Sequence, residues 1–212
     1  MASALALALL GAGTGSRSEA ALLSEARLVE AALNDLRGLV ASFTQTVESP
    51  ALPQPQVERG TVYLLRPGRM RWEYAEPPGK LAVADGRSTH LYLPEDHQVV
   101  VAPLSGEEES GISLLLRDRV DLFAEFEIAR GERPRGGGAR PLRLTPRSPR
   151  APYRHLLLDV GPDHLIRSLV VVDHIGSAVT YRFNDVRPVA TLDESLFRFT
   201  PPPGVDVQDV AR

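Results

Sequence analysis

The sequence predicts a mainly β protein. One long antiparallel sheet of about eleven short strands curls over helices supplied from two places in the chain. Three observations lead there. A single apolar stripe at helical spacing occupies the front of the chain. Behind it run short segments of alternating or β-rich text, cut by Pro, Gly and Asp turn signals. One interruption in the middle returns briefly to helical spacing. Strands joined through short turns give a meander rather than a parallel βαβ sheet, and a sheet of that length has to curl or close.

Residues 1–18 read as a residual or atypical signal-like segment, and 19–212 as a single domain. The apolar run Ala4–Leu10 is followed by small residues. It lacks a basic n-region and is too short to span a bilayer. From Glu19 to Val40 the residues Leu22, Ala26, Val29, Leu33, Leu36 and Val40 form one face of a helix, weakened near its end by Gly38. Six strand candidates follow: SFTQTVE, VERGTVYLL, RMRWEY, KLAVAD, THLYL and QVVVAPL. Ile112, Leu115, Leu116, Val120 and Phe123 then fall at helical spacing behind the acidic Glu107 to Glu109, which predicts one or two short helices between Ser110 and Phe126. The text FEIAR, PLRLTP, YRHLLLDV, HLIRSLVVVDH and AVTYRFNDVRP adds five more strands. Gly136 to Gly138 mark a loose hairpin tip, and FRFTPPPGVDV closes the domain.

Bulk composition narrows the function. Hydrophobic residues at 43% and charged residues at 24% are those of a globular chain with a real core. The net charge of −3 supplies no global field toward nucleic acid or anionic membrane. Without cysteine there are no disulfides, thiolate metal sites or thiol nucleophiles. Lys80 is the one lysine; the remaining 23 of 24 basic residues are arginine.

Convergent polar chemistry is not visible. His90, His97, His155, His164 and His174 lack metal-ligand spacing, and Asp159, Asp163 and Asp173 fall at strand ends where turn chemistry accounts for them. His155 and Asp159 are the pair to which a hydrolase reading would turn. Eight arginines between Arg130 and Arg154 form the densest basic stretch, but only Tyr153 interleaves with them, so they read as solvated hairpin-tip residues and not as a nucleic-acid surface. The expectation is a protein without enzymatic activity, cofactor or metal.

One hairpin raises a sharper question. In VYLLRPGRMRWEY, Met70, Trp72 and Tyr74 share one phase of the two-residue period, and Val62 and Leu64 share theirs with Arg66. A permanently charged group therefore falls on an apolar face. Such a sheet, rich in Leu and Val, suits a flexible apolar ligand. Periodicity alone does not separate a hollow from a packed core, and Met70 and Trp72 fit either.

Several segments resemble, in order and spacing, the LolA family of periplasmic outer-membrane lipoprotein carriers. They are FTQTV (Phe43–Val47), RPGRMRWEY (Arg66–Tyr74), VADG (Val83–Gly86), LYLPEDHQV (Leu91–Val99) and FRFTPPPGVDV (Phe197–Val207). The resemblance covers about Glu19 to Val207. It implies an unclosed antiparallel β-barrel of eleven strands covered by a long N-terminal helix and a short helical insert, around a hydrophobic cavity. It further implies a monomeric chaperone in the periplasm, with acylated lipoproteins as cargo, an inner-membrane ABC lipoprotein-release transporter as donor and an outer-membrane acceptor. A carrier or sensor of another lipid or glycolipid is the alternative. By the same resemblance Arg66 closes the lid by hydrogen-bonding helix carbonyls, and the acyl-chain lining is Phe43, Val62, Leu64, Met70, Trp72, Tyr74, Leu115 and Leu116. The family usually carries an aromatic where this chain has Met70, whose adaptable side chain implies a softer wall there.

Overall fold

A computed structural model describes residues 13–104, 111–115, 117–132 and 139–210. The signal-like segment therefore lies largely outside the described residues, as do Glu107 to Glu109, Leu116 and the Gly136–Gly138 tip. Helix α1 spans Gly13–Asp35. It buries Leu22, Ala26, Val29 and Leu33 along the expected stripe. It stops short of the predicted Val40, because Gly38 already belongs to strand β1 (Gly38–Glu48). A Cβ on Gly38 would lie 2.6 Å from the Leu64 carbonyl oxygen, so glycine lets the chain start pairing there. The burial period then changes from helical to two: Leu39, Ala41 and Phe43 face inward, whereas Val40 faces the other way and is only partly buried.

Strands β2 (Gln56–Leu65), β3 (Arg69–Glu76), β4 (Leu81–Asp85), β5 (Ser88–Leu93) and β6 (Gln98–Pro103) continue from β1 as an antiparallel meander. The chain then crosses through a 3-10 turn, Gly111–Leu115, and a single helical turn α2, Leu122–Glu125. It re-enters the sheet as β7 (Phe126–Arg130), β8 (Leu142–Pro146), β9 (His155–Val160), β10 (Ile166–Val172) and β11 (Ala178–Val189). β11 pairs antiparallel with β1, so the two meanders fuse into one sheet.

That sheet has twelve strands, one more than expected. The addition is β12, Asp206–Asp209, which lies parallel to β6 at one edge. All four of its residues are exposed, so no hydrophobic period announced it. β7 forms the opposite edge, and the barrel stays open between β12–β6 and β7. Register shifts place an extra residue in β3, β10 and β11, and such bulges bend strands and let so long a sheet curl. The described part of the chain between β6 and β7 supplies the insert, whose Leu115 meets residues of the central strands β1, β2, β3 and β11.

A second, smaller packing layer lies on the convex side. The 3-10 turn Glu194–Phe197 packs against β3 and β4. Glu194 pairs with Arg69 at 2.8 Å, and Arg71 donates to the Leu196 carbonyl at 3.1 Å. Phe197 and Val83 are buried outside the main core. This explains the Phe-x-Phe-x-Pro-Pro ending: it straps the convex face before β12 joins β6.

Candidate functional site: an apolar seam closed by one guanidinium

Arg66 sits in the β2–β3 turn, in the same phase as Val62 and Leu64, and is 6% exposed. Its main-chain N–H donates to the Arg37 carbonyl at 2.9 Å, which brings the turn against the end of α1. Its side chain reaches further. Nη1 donates to the Leu33 carbonyl, and Nε donates to the Arg117 carbonyl. Leu33 lies in the last turn of α1, where helix carbonyls have no intrahelical partner. Arg117 belongs to the insert. One side chain from the sheet therefore holds both parts of the cover. Burial draws the guanidinium pKa down and the Asp118 carboxylate opposes this; a guanidinium keeps its charge throughout. Nη2 is buried with no partner among the described residues.

The two cover elements are clipped to each other independently of Arg66. Asn34 donates to the Val120 carbonyl at 2.9 Å and accepts from the Val120 N–H at 2.8 Å. Glu30 accepts from the Leu122 N–H at 2.7 Å, and the Arg27 guanidinium lies 4.7 Å from the centre of the Phe123 ring. These bonds join α1 to the insert as one body, so detaching it from the sheet requires the Arg66 bonds, the Arg130–Glu25 pair and apolar contacts to break.

Beneath the cover the seam is almost purely hydrocarbon. Leu33 and Leu36 from above, Leu115 from the insert, and Leu39, Val62, Leu64, Trp72, Leu165, Ile166, Phe183 and Val186 surround a void. Its volume is only ≈ 20 Å³, room for one water-sized sphere. The expected hollow is thus closed in this conformation, because Leu33, Leu36 and Leu115 of the cover pack against the concave face.

Four of the residues expected to line a cavity, Val62, Leu64, Trp72 and Leu115, meet at this void. Phe43 and Met70 are in the surrounding core, 2% and 9% exposed, without bordering it. Tyr74 lies one step further along the concave face, edge-on to Phe43 at 5.1 Å. Leu116 is outside the described residues. Leu36 and Leu33 were legible on the helix stripe. Phe183 was missed although its strand was read, since only the Phe43–Phe183 pairing places it beside Trp72.

Beyond Phe43 the concave face turns polar. Lys80 pairs with Glu58 at 2.6 Å, Gln45 donates to Glu58 at 3.1 Å, and the Tyr74 hydroxyl donates to Gln45 at 3.2 Å. Burial, reinforced by the Glu58 carboxylate, raises the Tyr74 hydroxyl pKa and pushes Tyr181 up to about 12. A raised tyrosine pKa means that the folded state holds its proton after the unfolded chain, titrating near 10, has released it. The stability linked to both groups is complete below pH 10 and falls as pH rises, through about 12 for Tyr181 and higher still for Tyr74. Phenolate absorbance of the folded protein at pH 11 should therefore fall short by these two tyrosines and recover on unfolding. Full ionisation of all tyrosines at pH 11 in the folded state would contradict this.

The histidines and strand-end aspartates are placed as follows. His97 and His164 occupy left-handed turn positions, with φ of 50° and 60°. His174 Nε2 lies 3.0 Å from the Ala151 carbonyl. His90 stacks beside Phe199, and His155 is drawn down by burial and by Arg143 and Arg154. Asp163 pairs with Arg167, Asp173 accepts from two turn N–H groups, and burial raises Asp159. Among the described residues no three His, Asp or Glu side chains gather as a metal site. In the arginine-rich stretch, Arg130 pairs with Glu25 of α1, so that residue helps to seat the cover and is not a free tip.

The molecule is of the open-barrel class, a curled and mainly antiparallel sheet whose apolar concave face packs against a helix and an insert that share Arg66 as a hydrogen-bond donor. The chain belongs to the outer membrane lipoprotein carrier protein LolA family, whose model matches residues 34–200. It is 31% identical over 193 residues to the outer-membrane lipoprotein carrier protein of Methylococcus capsulatus, covering 91% of each chain. Identity to the protein of the same name from Xanthomonas campestris is 32% over 173 residues, covering 81% of this chain and 82% of that one. Among solved structures, a LolA superfamily protein from Nitrosomonas europaea matches with TM-score 0.44 and 12% identity, over 82% of this chain and 97% of that one.

Proposed function

We propose that this chain is a periplasmic carrier of lipoproteins: it takes their acyl chains between cover and sheet after release from the inner membrane by an ABC transporter, and hands them to an acceptor at the outer membrane. The observation that carries the reading is the latch. A buried arginine in an apolar seam is costly to maintain, and here its bonds go to the two elements that would have to lift for an acyl chain to enter. The closed void fits the same reading. Each methylene moved from water into the seam contributes roughly 0.8 kcal/mol, so a carrier with a permanently open hollow would hold its cargo too tightly to deliver it. Leu33, Leu36 and Leu115 compete for the same surface, and cargo release re-buries them.

Affinity purification from the periplasm followed by intact-mass analysis tests the cargo. Recovery of acylated polypeptide supports a lipoprotein carrier, whereas free lipid or glycolipid alone would transfer the reading to a carrier of that lipid. A chain that carries neither while catalysing a hydrolysis lost in His155→Ala or Asp159→Asn would overturn both.

A further inference from the structure

Two neighbouring tips at one end of the sheet are suited to leaving water. Residues 49–57, the β1–β2 connection with the start of β2, read SPALPQPQV and carry no charge. All but Ser49 and Leu52 are exposed. Beside them stands the β10–β11 hairpin tip, joined through the Ser177 and Ser49 hydroxyls at 3.1 Å, with Ile175 79% exposed. Much of the main-chain donor capacity of both tips is missing or already satisfied. Pro50, Pro53 and Pro55 have no N–H. The Ala51 and Leu52 N–H groups donate to the Ser49 hydroxyl and carbonyl at 3.3 and 3.0 Å. In the hairpin, Asp173 accepts from the Ile175 and Ser177 N–H groups at 2.9 and 2.7 Å. Unpaired N–H groups are what make it costly for a loop to enter an apolar medium, and here few are left.

One flank of these tips is cationic. The β8–β9 connection runs beside the hairpin: His174 Nε2 lies 3.0 Å from the Ala151 carbonyl, and the Arg154 N–H donates to the Val172 carbonyl at 2.7 Å. Arg154 is exposed, and Arg143 of β8 sits opposite Leu157, diagonal to His155 on the same face. Among the described residues neither arginine meets a carboxylate, and Arg143 Nε and His155 Nδ1 are buried without a partner. Of the acids nearby, Glu127 pairs with Arg147 at 3.8 Å, Asp173 is held within its own turn, and Glu48 on β1 is three strands from Arg154. Exposed charges more than about 8 Å apart are largely screened at physiological salt, so this flank acts locally despite the net charge of −3. We propose that this end of the barrel docks on a bilayer surface bearing anionic phospholipid. Ile175 and the 49–57 loop enter the interface, and Arg154 and Arg143 engage the phosphates. A bilayer is favoured over an acidic polypeptide because the strands that carry the tips, β1, β2, β10 and β11, are all interior, so no sheet edge is offered to an extended chain. Docking of this kind needs neither the latch nor any particular cargo.

The chain has no cysteine, so Ile175→Cys carries a single environment-sensitive fluorophore at the tip. Gln208→Cys, on the exposed edge strand β12, carries the same dye as control. The probes are vesicles of phosphatidylglycerol and phosphatidylcholine in equal parts, and vesicles of phosphatidylcholine alone. The tip dye is expected to shift to the blue with the anionic vesicles only, and the control dye with neither. For the unlabelled chain, partition onto anionic vesicles in co-sedimentation should fall about fivefold in Arg154→Gln and as much again when Arg143→Gln is added, with circular dichroism showing both folded. No binding to anionic vesicles, equal binding to both kinds, or binding that survives the double substitution overturns docking at this end. A shift of the control dye in place of the tip dye does the same. Soluble polyglutamate bound with the same arginine dependence, beside a null vesicle result, would replace the membrane by an acidic polypeptide. Vesicle binding without acylated cargo keeps the docking end and removes the carrier; acylated cargo without vesicle binding does the reverse.

Discussion

Arg66→Leu is expected to leave the chain folded and able to load lipoprotein, but to depress hand-over to the acceptor by two to four orders of magnitude. The sheet is the stable body, and its ladders, from β12 through β1 to β7, do not involve the Arg66 side chain. Replacing a buried charge by a hydrocarbon of comparable position is often neutral for stability, although the Leu33 and Arg117 carbonyls lose their donor. What changes is the drive to re-close. Hydrogen bonds from a charged donor contribute about 1.5–3 kcal/mol each, so the two latch bonds supply about 3–6 kcal/mol toward the empty, closed state. At 1.4 kcal/mol per decade, losing them shifts the partition of cargo toward the carrier by the stated amount. Reconstituted release and transfer, with circular dichroism as the folding control, measures this. Transfer at the wild-type rate by a folded Arg66→Leu protein would remove the latch from the mechanism.

Trp72→Ala is expected to be the most destabilising single truncation of the seam. The indole is 3% exposed and contacts Phe43 edge-on at 4.5 Å, with Tyr181 and Phe183 at 5.4 and 6.1 Å. Truncating a buried aromatic to alanine costs about 3–5 kcal/mol, which for a chain of this size corresponds to a Tm lowered by roughly 6–20 °C. Arg59→Ala, which breaks the exposed pair with Glu76, is the control, at about 0–1 kcal/mol. Calorimetry of both variants decides. A Tm loss for Trp72→Ala no larger than that of the control would mean that the ring cluster does not hold the concave face together.

Much of this arrangement is legible in residue order because local periodicity records burial. Leu22, Ala26, Val29 and Leu33 are apolar because one face of α1 rests on the sheet, and eleven strands carry their own alternation and turn residues. The end of α1 was misread for an instructive reason. Leu36 and Val40 continue the helical spacing by coincidence, since Leu36 faces the seam from a coil and Val40 belongs to the outward phase of β1. β12 left no trace, since four exposed residues held only by parallel pairing with β6 have no reason to be apolar. Arg66 was conspicuous because it broke a pattern, and the LolA resemblance supplied a role for it. Its particular acceptors are 33 and 51 positions away.

The amino-acid order alone determined eleven of the strands, most of the covering helix and the charged residue set into an apolar phase, and its motifs from Phe43 to Val207 carried the family resemblance. The strands, the helix and the misplaced charge are written among near neighbours, where backbone geometry couples spacing to face. The three-dimensional packing alone decided that the hollow is shut, that Phe183 meets Trp72, and that Arg66 reaches the Leu33 and Arg117 carbonyls. Those outcomes depend on how rigid elements far apart in the chain come to rest against one another, and a displacement of a single ångström opens or closes a void. No local pattern encodes that distance.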